Sequence, residues 1–220
     1  MPSNWDTVSL AEVCRDVRYG YTASAKTSPT PVKFLRVTDI AKQTLNWDEV
    51  PYCNISDKDL QRYRLEPGDI VIARMGPIGV SSIVKDPPLA VAASYLIRHR
   101  AEPSRVNAPF LAYVLRSPAF LDFVWTHGGT GAVQPNINAR TLGQFRFRLP
   151  PLHEQHRISA ILGALDDKIE LNRRMSETLE GIARELYRAW FVDFTAGPAS
   201  SQQSAGELPA DWFYGTLADV

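Results

Sequence analysis

Residues 154–191 contain no proline, and Gly163 and Gly181 are their only glycines. Apolar side chains fall at Ile158, Leu162, Leu165 and Ile169, then at Met175, Leu179, Ile182 and Leu186. Each set steps by four, three and four residues, which keeps one helix face apolar in the manner of a coiled-coil seam. Leu165 and Met175 are ten residues apart rather than seven, which predicts a stammer near Asn172. At 1.5 Å per residue the helix is about 57 Å long. A domain of about 150 residues has a radius of gyration of about 15 Å, too small to cover such a stripe. The sequence offers one long helix, so the stripe predicts a second copy of the chain as its partner. The alternative is a helical hairpin folding back near Asn172, for which no Gly-Pro or Asn-Gly turn is present.

Ahead of this helix the pattern is mixed and dominated by short strands. Phe34-Leu35-Arg36-Val37 reads as a strand closing at Asp39. Glu66-Pro67-Gly68-Asp69 reads as a turn feeding the apolar run Ile70-Val71-Ile72-Ala73, which suits a buried strand. A loop with two glycines follows at residues 74–79. Strand candidates lie at 80–84 and 95–97, separated by Asp86-Pro87-Pro88, and a last one lies at 144–149. Helical spacing at Phe110, Leu111, Val114, Leu115, Leu121 and Val124, with Asn107 as cap, predicts two short helices split at Ser117-Pro118. The fold class is thus α+β: a mixed α/β domain with a short-stranded sheet, followed by one long coiled-coil-forming helix.

The ends of the chain repeat one another. Pro2, Trp5, Leu10, Ala11 and Val13 recur as Pro209, Trp212, Leu217, Ala218 and Val220, and Glu12 recurs as Asp219. Residues 207–220 are therefore read as the truncated start of a second unit. Residues 195–206, small and polar, read as a flexible linker. No apolar run reaches the length of a membrane span, and the N-terminus lacks a secretory pattern, so the expected location is cytoplasmic, with no membrane partner. Cys14 and Cys53, in no metal or redox spacing, read as reduced thiols. The formal net charge of zero conceals an asymmetry. Residues 1–151 hold 18 Lys and Arg against 13 Asp and Glu, whereas residues 152–220 hold 6 against 11. The front of the chain is the better match for a polyanion.

No phosphate-binding loop, dinucleotide fingerprint, zinc motif or nucleophile elbow occurs, so the sequence points to a binding protein rather than an enzyme. His127, His153 and His156 read as solvated or capping residues, because a metal needs three or four convergent ligands. The loop over residues 128–140 presents Thr130, Gly131, Gln134, Asn136, Asn138 and Arg140. Gln and Asn can bond adenine edges, Arg can bond guanine, and glycine admits phosphate to the backbone. The alternative is a self-bonded turn, with Asn136 and Asn138 tied to their own backbone. Thr22, Ser24 and Lys26 form a second polar loop, either a contact surface or a bare one. Arg74 opens the two-glycine loop and joins the candidate DNA-contacting set. No catalytic or metal-ligating residue is assigned.

The segment Leu149-Pro150-Pro151-Leu152-His153-Glu154-Gln155-His156-Arg157-Ile158 resembles the hallmark of the specificity subunits of type I restriction–modification systems. So do Leu165-Asp166-Asp167-Lys168-Ile169-Glu170-Leu171-Asn172 and Trp190-Phe191-Val192-Asp193-Phe194. Phe34 to Ile40, Pro67 to Val71 and Gly131 to Asn138 follow the order of that family's target recognition domain. His153 stands where Pro is common. The resemblance implies a half-length form: a target recognition domain over 1–151 and a conserved spacer and dimerisation helix over 152–194. It implies a non-catalytic subunit that reads half of a bipartite site in double-stranded DNA and docks modification (methyltransferase) and restriction (endonuclease) subunits. Family members carry two recognition domains and two antiparallel helices, so this chain is expected to form a homodimer through antiparallel helices. S-adenosylmethionine, ATP and Mg are expected in the partner subunits, and no cofactor on this chain. The alternative is a truncated structural fragment that dimerises without reading DNA.

Overall fold

The computed structural model describes residues 5–41, 45–128 and 135–193. The chain divides into two units, Met1–Ile161 and Leu162–Val220. The first is built on a four-stranded antiparallel sheet of β2 (Cys14–Tyr19), β4 (Ile70–Ala73), β5 (Ser81–Ile83) and β7 (Leu96–Ala101). Their order is β2-β7-β4-β5. Two small sheets flank it. β1 (Asp6–Ser9) pairs antiparallel with β8 (Arg146–Leu149), and β3 (Lys33–Leu35) pairs parallel with β6 (Ala90–Ala92).

The central strand β4 explains its own composition. All four residues are buried because each face of the strand meets a separate core. Ile70 and Ile72 join Ile97, Phe110, Leu111, Leu115, Phe120, Val124, Phe145 and Phe147. Val71 and Ala73 join Leu35, Leu65, Val84 and Leu96. Successive side chains point to opposite faces, so a strand buried on both sides has no polar position left. The first core is closed by the short helices α3 (Ala108–Val114), α4 (Pro118–Gly128) and α5 (Ala139–Gly143). Asn107 caps α3 as expected, accepting from the Phe110 amide at 3.0 Å, and Pro118 starts α4. The remaining helices of this unit are the single turn α1 (Val37–Ile40) and α2 (Asp57–Tyr63), capped by Ser56.

Several boundaries differ from the sequence reading. The strand at Phe34 stops at Leu35, because Arg36 and Asp39 form a reciprocal cap that turns the chain into α1. The segment after Asp86-Pro87-Pro88 holds a strand of its own, β6, before β7 begins. β7 continues past Ile97 through Arg98, His99 and Arg100. Arg98 is accommodated by an ion pair with Asp16 and a hydrogen bond to the Arg64 carbonyl at 2.9 Å. Arg100 grips Asp69 with two nitrogens, at 2.7 and 2.9 Å, and Glu66 at 2.9 Å.

The long helix α6 spans Leu152–Phe191 without interruption, including the position of Asn172. Its first turn belongs to the domain. Gln155, 1% exposed, donates to the Pro150 carbonyl at 2.7 Å and the Arg105 carbonyl at 3.2 Å, and accepts from the Asn107 amide at 2.8 Å. Trp5 donates to Glu154 at 3.1 Å. Ile158, read from sequence as the first residue of the dimerisation stripe, packs instead against the first core. Leu162 is half-buried. Leu165, Ile169, Met175, Leu179, Ile182 and Leu186 are 48–66% exposed. No described helix is long and apolar enough to cross a membrane.

Candidate nucleic-acid interface

One end of the central sheet gathers four loops. Tyr19, Ala73 and Leu96 are aligned there by the pairing of β2, β7 and β4. From this end depart residues 20–28 after β2, residues 74–79 after β4, and the turn 93–95 before β7. Residues 135–138 join them, because Met75 bridges Asn136 and the Ile137 amide donates to the Arg74 carbonyl at 2.9 Å. The Arg74 amide in turn donates to the Tyr95 carbonyl at 2.9 Å, and Gly20 donates to Leu96 at 2.9 Å. Gly20 is required there: a Cβ would lie 2.1 Å from the Ala93 carbonyl oxygen. Gly76 and Gly79 hold positive φ of 74° and 83°, which lets residues 74–79 turn sharply.

The candidate residues separate into two groups around this rim. Arg74, Asn136, Asn138 and Arg140 come together. Asn136 and Arg140 are exposed, and Asn138 caps α5 by accepting from the Thr141 amide at 2.8 Å. For Asn138 the self-bonded turn therefore holds, at least for its side-chain oxygen. Thr22, Ser24 and Lys26 are also exposed, but on the strip that leaves the rim after Tyr21. The Tyr21 amide donates to the Ala92 carbonyl at 2.7 Å, and Lys26 ladders with Tyr52 at 2.8 and 2.9 Å. Thr130, Gly131 and Gln134 lie outside the described residues, as do residues 195–220. Sequence reasoning missed Tyr19 and Tyr95, which are 40% and 55% exposed at the rim. No local pattern marked Tyr19: Arg15, Val17 and Tyr19 share the open face of an edge strand, but charged residues on both faces blur its alternation.

The electrostatics of the two sheet ends are opposite. Residues 20–28, 74–79, 93–95 and 128–140 contain no Asp or Glu, while Lys26, Arg74 and Arg140 carry positive charge. At the other end Asp16, Glu66 and Asp69 neutralise Arg98 and Arg100. The hydrogen bonds that Arg100 donates to the Asp69 carboxylate raise it above the ordinary guanidinium range, whereas desolvation lowers Arg98. Arginines of the far end are thus engaged internally. The rim loops carry their cations without an acid of their own, and their glycines and amides suit close approach by phosphate oxygens. Burial pushes the Cys14 thiol up to about 12, and Cys53 is also raised by burial. Among the described residues no group of three or more His, Cys, Asp or Glu is arranged to hold a metal.

This architecture has relatives. Residues 2–181 match the type I restriction modification DNA specificity domain, and the chain belongs to that family. It is 25% identical over 237 residues to the type I restriction enzyme MjaIX specificity subunit of Methanocaldococcus jannaschii, covering 100% of this chain and 52% of that protein. It is 28% identical over 210 residues to the HindI specificity subunit of Haemophilus influenzae, covering 91% and 43%. The chain therefore spans about half the length of these curated relatives. The fold matches a type I restriction-modification S subunit from M. genitalium with a TM-score of 0.61 at 15% identity, covering 86% of this chain and 46% of that one. It matches the HsdS subunit of Thermoanaerobacter tengcongensis with a TM-score of 0.53 at 21% identity, covering 80% and 40%. The expected α+β class is borne out. So is the expectation of a specificity component rather than an enzyme, since these relatives are named specificity subunits.

Proposed function

We propose that this chain is a DNA-reading half of a type I specificity subunit. Residues 1–151 contact one half of a bipartite duplex target through the acid-free rim. Residues 152–194 join two chains as antiparallel helices. The observation that carries the reading is the concentration of cations, amides and glycines at one sheet end, in a chain of the DNA specificity family. The half-exposed stripe from Leu165 to Leu186 supports the pairing, because a run of apolar side chains at coiled-coil spacing is stable in water only when covered. Modification and restriction subunits dock on the dimer and bring S-adenosylmethionine, ATP and Mg, while this chain contributes sequence choice alone.

The test is selection of duplexes from a randomised pool by the purified chain, with light scattering on the same sample. The expected result is a dimer that enriches one interrupted sequence. A dimer that enriches nothing would support the structural-fragment reading. A monomer at micromolar concentration would refute the helix pairing.

A further inference from the structure

Tyr19 ends β2 at the rim, and its side chain touches two things at once. Its ring carries the guanidinium of Arg74, with Cζ 5.0 Å from the ring centroid. Its hydroxyl accepts the amide of Ala139 at 3.0 Å, in the segment that bears Asn138 and Arg140. Arg74 is itself fixed by its backbone, donating to Tyr95 and accepting from Ile137. Its Nε is buried without a hydrogen-bond partner, and no described carboxylate pairs with it. The ring face, not an ion pair, sets the pose of this arginine. A guanidinium held that way keeps its terminal nitrogens available to an outside acceptor, which one clamped by carboxylates does not.

We propose that Tyr19 is a positioning residue for sequence readout, holding Arg74 so that its terminal N–H groups engage guanine O6 and N7 in the major groove. The inference rests on the DNA-reading assignment above and adds the base, the reader and the residue that aims it. An arginine free in solution explores many rotamers, and docking it on a base costs that freedom. Stacking on Tyr19 removes much of the freedom before DNA arrives. The hydroxyl also accepts from Ala139, a secondary anchor for the ring, whose face alone sets the pose of Arg74. Tyr19 ends β2 and Arg74 directly follows β4, both paired strands, where backbone position is well determined.

The experiment uses the full chain, a randomised duplex pool and four variants. Wild type is expected to enrich guanine at one position of each half-site. Arg74→Ala removes that preference. Tyr19→Leu weakens the same position by about three- to tenfold, the range of a cation–π contact. Tyr19→Phe keeps the ring and stays within about twofold. Tyr19→Leu adds nothing further on an Arg74→Ala background, because the two residues act as a unit. In the free protein the Arg74 Nε–H proton carries a ring-current shift that Tyr19→Leu abolishes and Tyr19→Phe preserves. Additive losses, an unchanged guanine preference in Tyr19→Leu, or an unmoved Arg74 resonance would each overturn the proposal. If wild type enriches no sequence although the ring-current shift is present, the DNA-reading assignment fails and the readout role falls with it. If wild type discriminates and Tyr19→Leu discriminates equally, only the role of Tyr19 falls.

Discussion

His99 should make the first unit sensitive to mild acid. It lies in the middle of β7, opposite Val17 on one side and Ile70 on the other, and is 1% exposed. Nδ1 is 3.3 Å from the Ile97 carbonyl, which can only accept, so the neutral ring carries its proton on Nδ1. Nε2 is buried without a partner. Protonation would place an N–H where nothing accepts it. Desolvation accordingly lowers the imidazole from 6.5 to about 4, opposed by the weaker bond to Ile97. The folded state thus binds this proton less readily than the unfolded chain. Stability is full above the unfolded value and falls as pH drops from 6.5 toward 4, where the loss levels off. From pH 8 to pH 5 the loss is about 2 kcal/mol, and over the whole window about 3 kcal/mol. Urea denaturation of wild type and His99→Leu at both pH values measures it. The variant starts from a different stability, but its change between pH 8 and pH 5 should be smaller by about 2 kcal/mol. Equal changes in the two proteins would refute the argument, because other titrating groups are common to both.

Other consequences can be checked directly. Gln155→Leu leaves two carbonyls and one amide without partners and should cost about 3 kcal/mol, or roughly 6–12 °C in Tm by calorimetry. Leu179→Asp, in the middle of the exposed stripe, should shift the light-scattering mass from dimer to monomer and leave the circular dichroism of the first unit unchanged. If two chains pair through their helices as proposed, a two-fold axis relates identical recognition domains, and the enriched sequence should be an interrupted palindrome; sequencing a non-palindromic target would contradict this. Cys14, pushed up to about 12, should react with a disulfide reagent at pH 8 at least about tenfold more slowly in the folded protein than in denaturant.

The long helix was legible because its signal is periodic, local and free of breakers. The caps at Asn107 and the break at Pro118 were legible for the same reason: a single residue type imposes the local geometry. β4 was legible as an apolar run, although its two-sided burial was not, since that depends on which elements cover each face. β2 escaped because Arg15, Asp16 and Arg18 dilute the alternation of an edge strand, and Asp16 is there for Arg98, 82 residues away. Ile158 was assigned to the wrong surface because spacing cannot tell a stripe that meets the domain core from one that does not. At the rim, composition identified loops rich in polar residues and glycine. Convergence of four of them at one sheet end depends on strand order, which no local pattern contains. Tyr19 joined the rim only once the register of β2 against β7 was known.

The rim is tied to its scaffold almost entirely by main chain. Gly20 to Leu96, Tyr21 to Ala92, Arg74 to Tyr95, Ile137 to Arg74 and Asn136 to Gly128 are all amide-to-carbonyl bonds. Such bonds are indifferent to the side chains of the residues that make them, apart from the glycine that close approach demands at position 20. Exposed side chains at Thr22, Ser24, Asn136 and Arg140 can therefore be exchanged without loosening the frame. If the rim reads DNA as proposed, a new preference would come by substitution alone, with no refolding, and the useful variation would be confined to a few positions around an unchanging backbone.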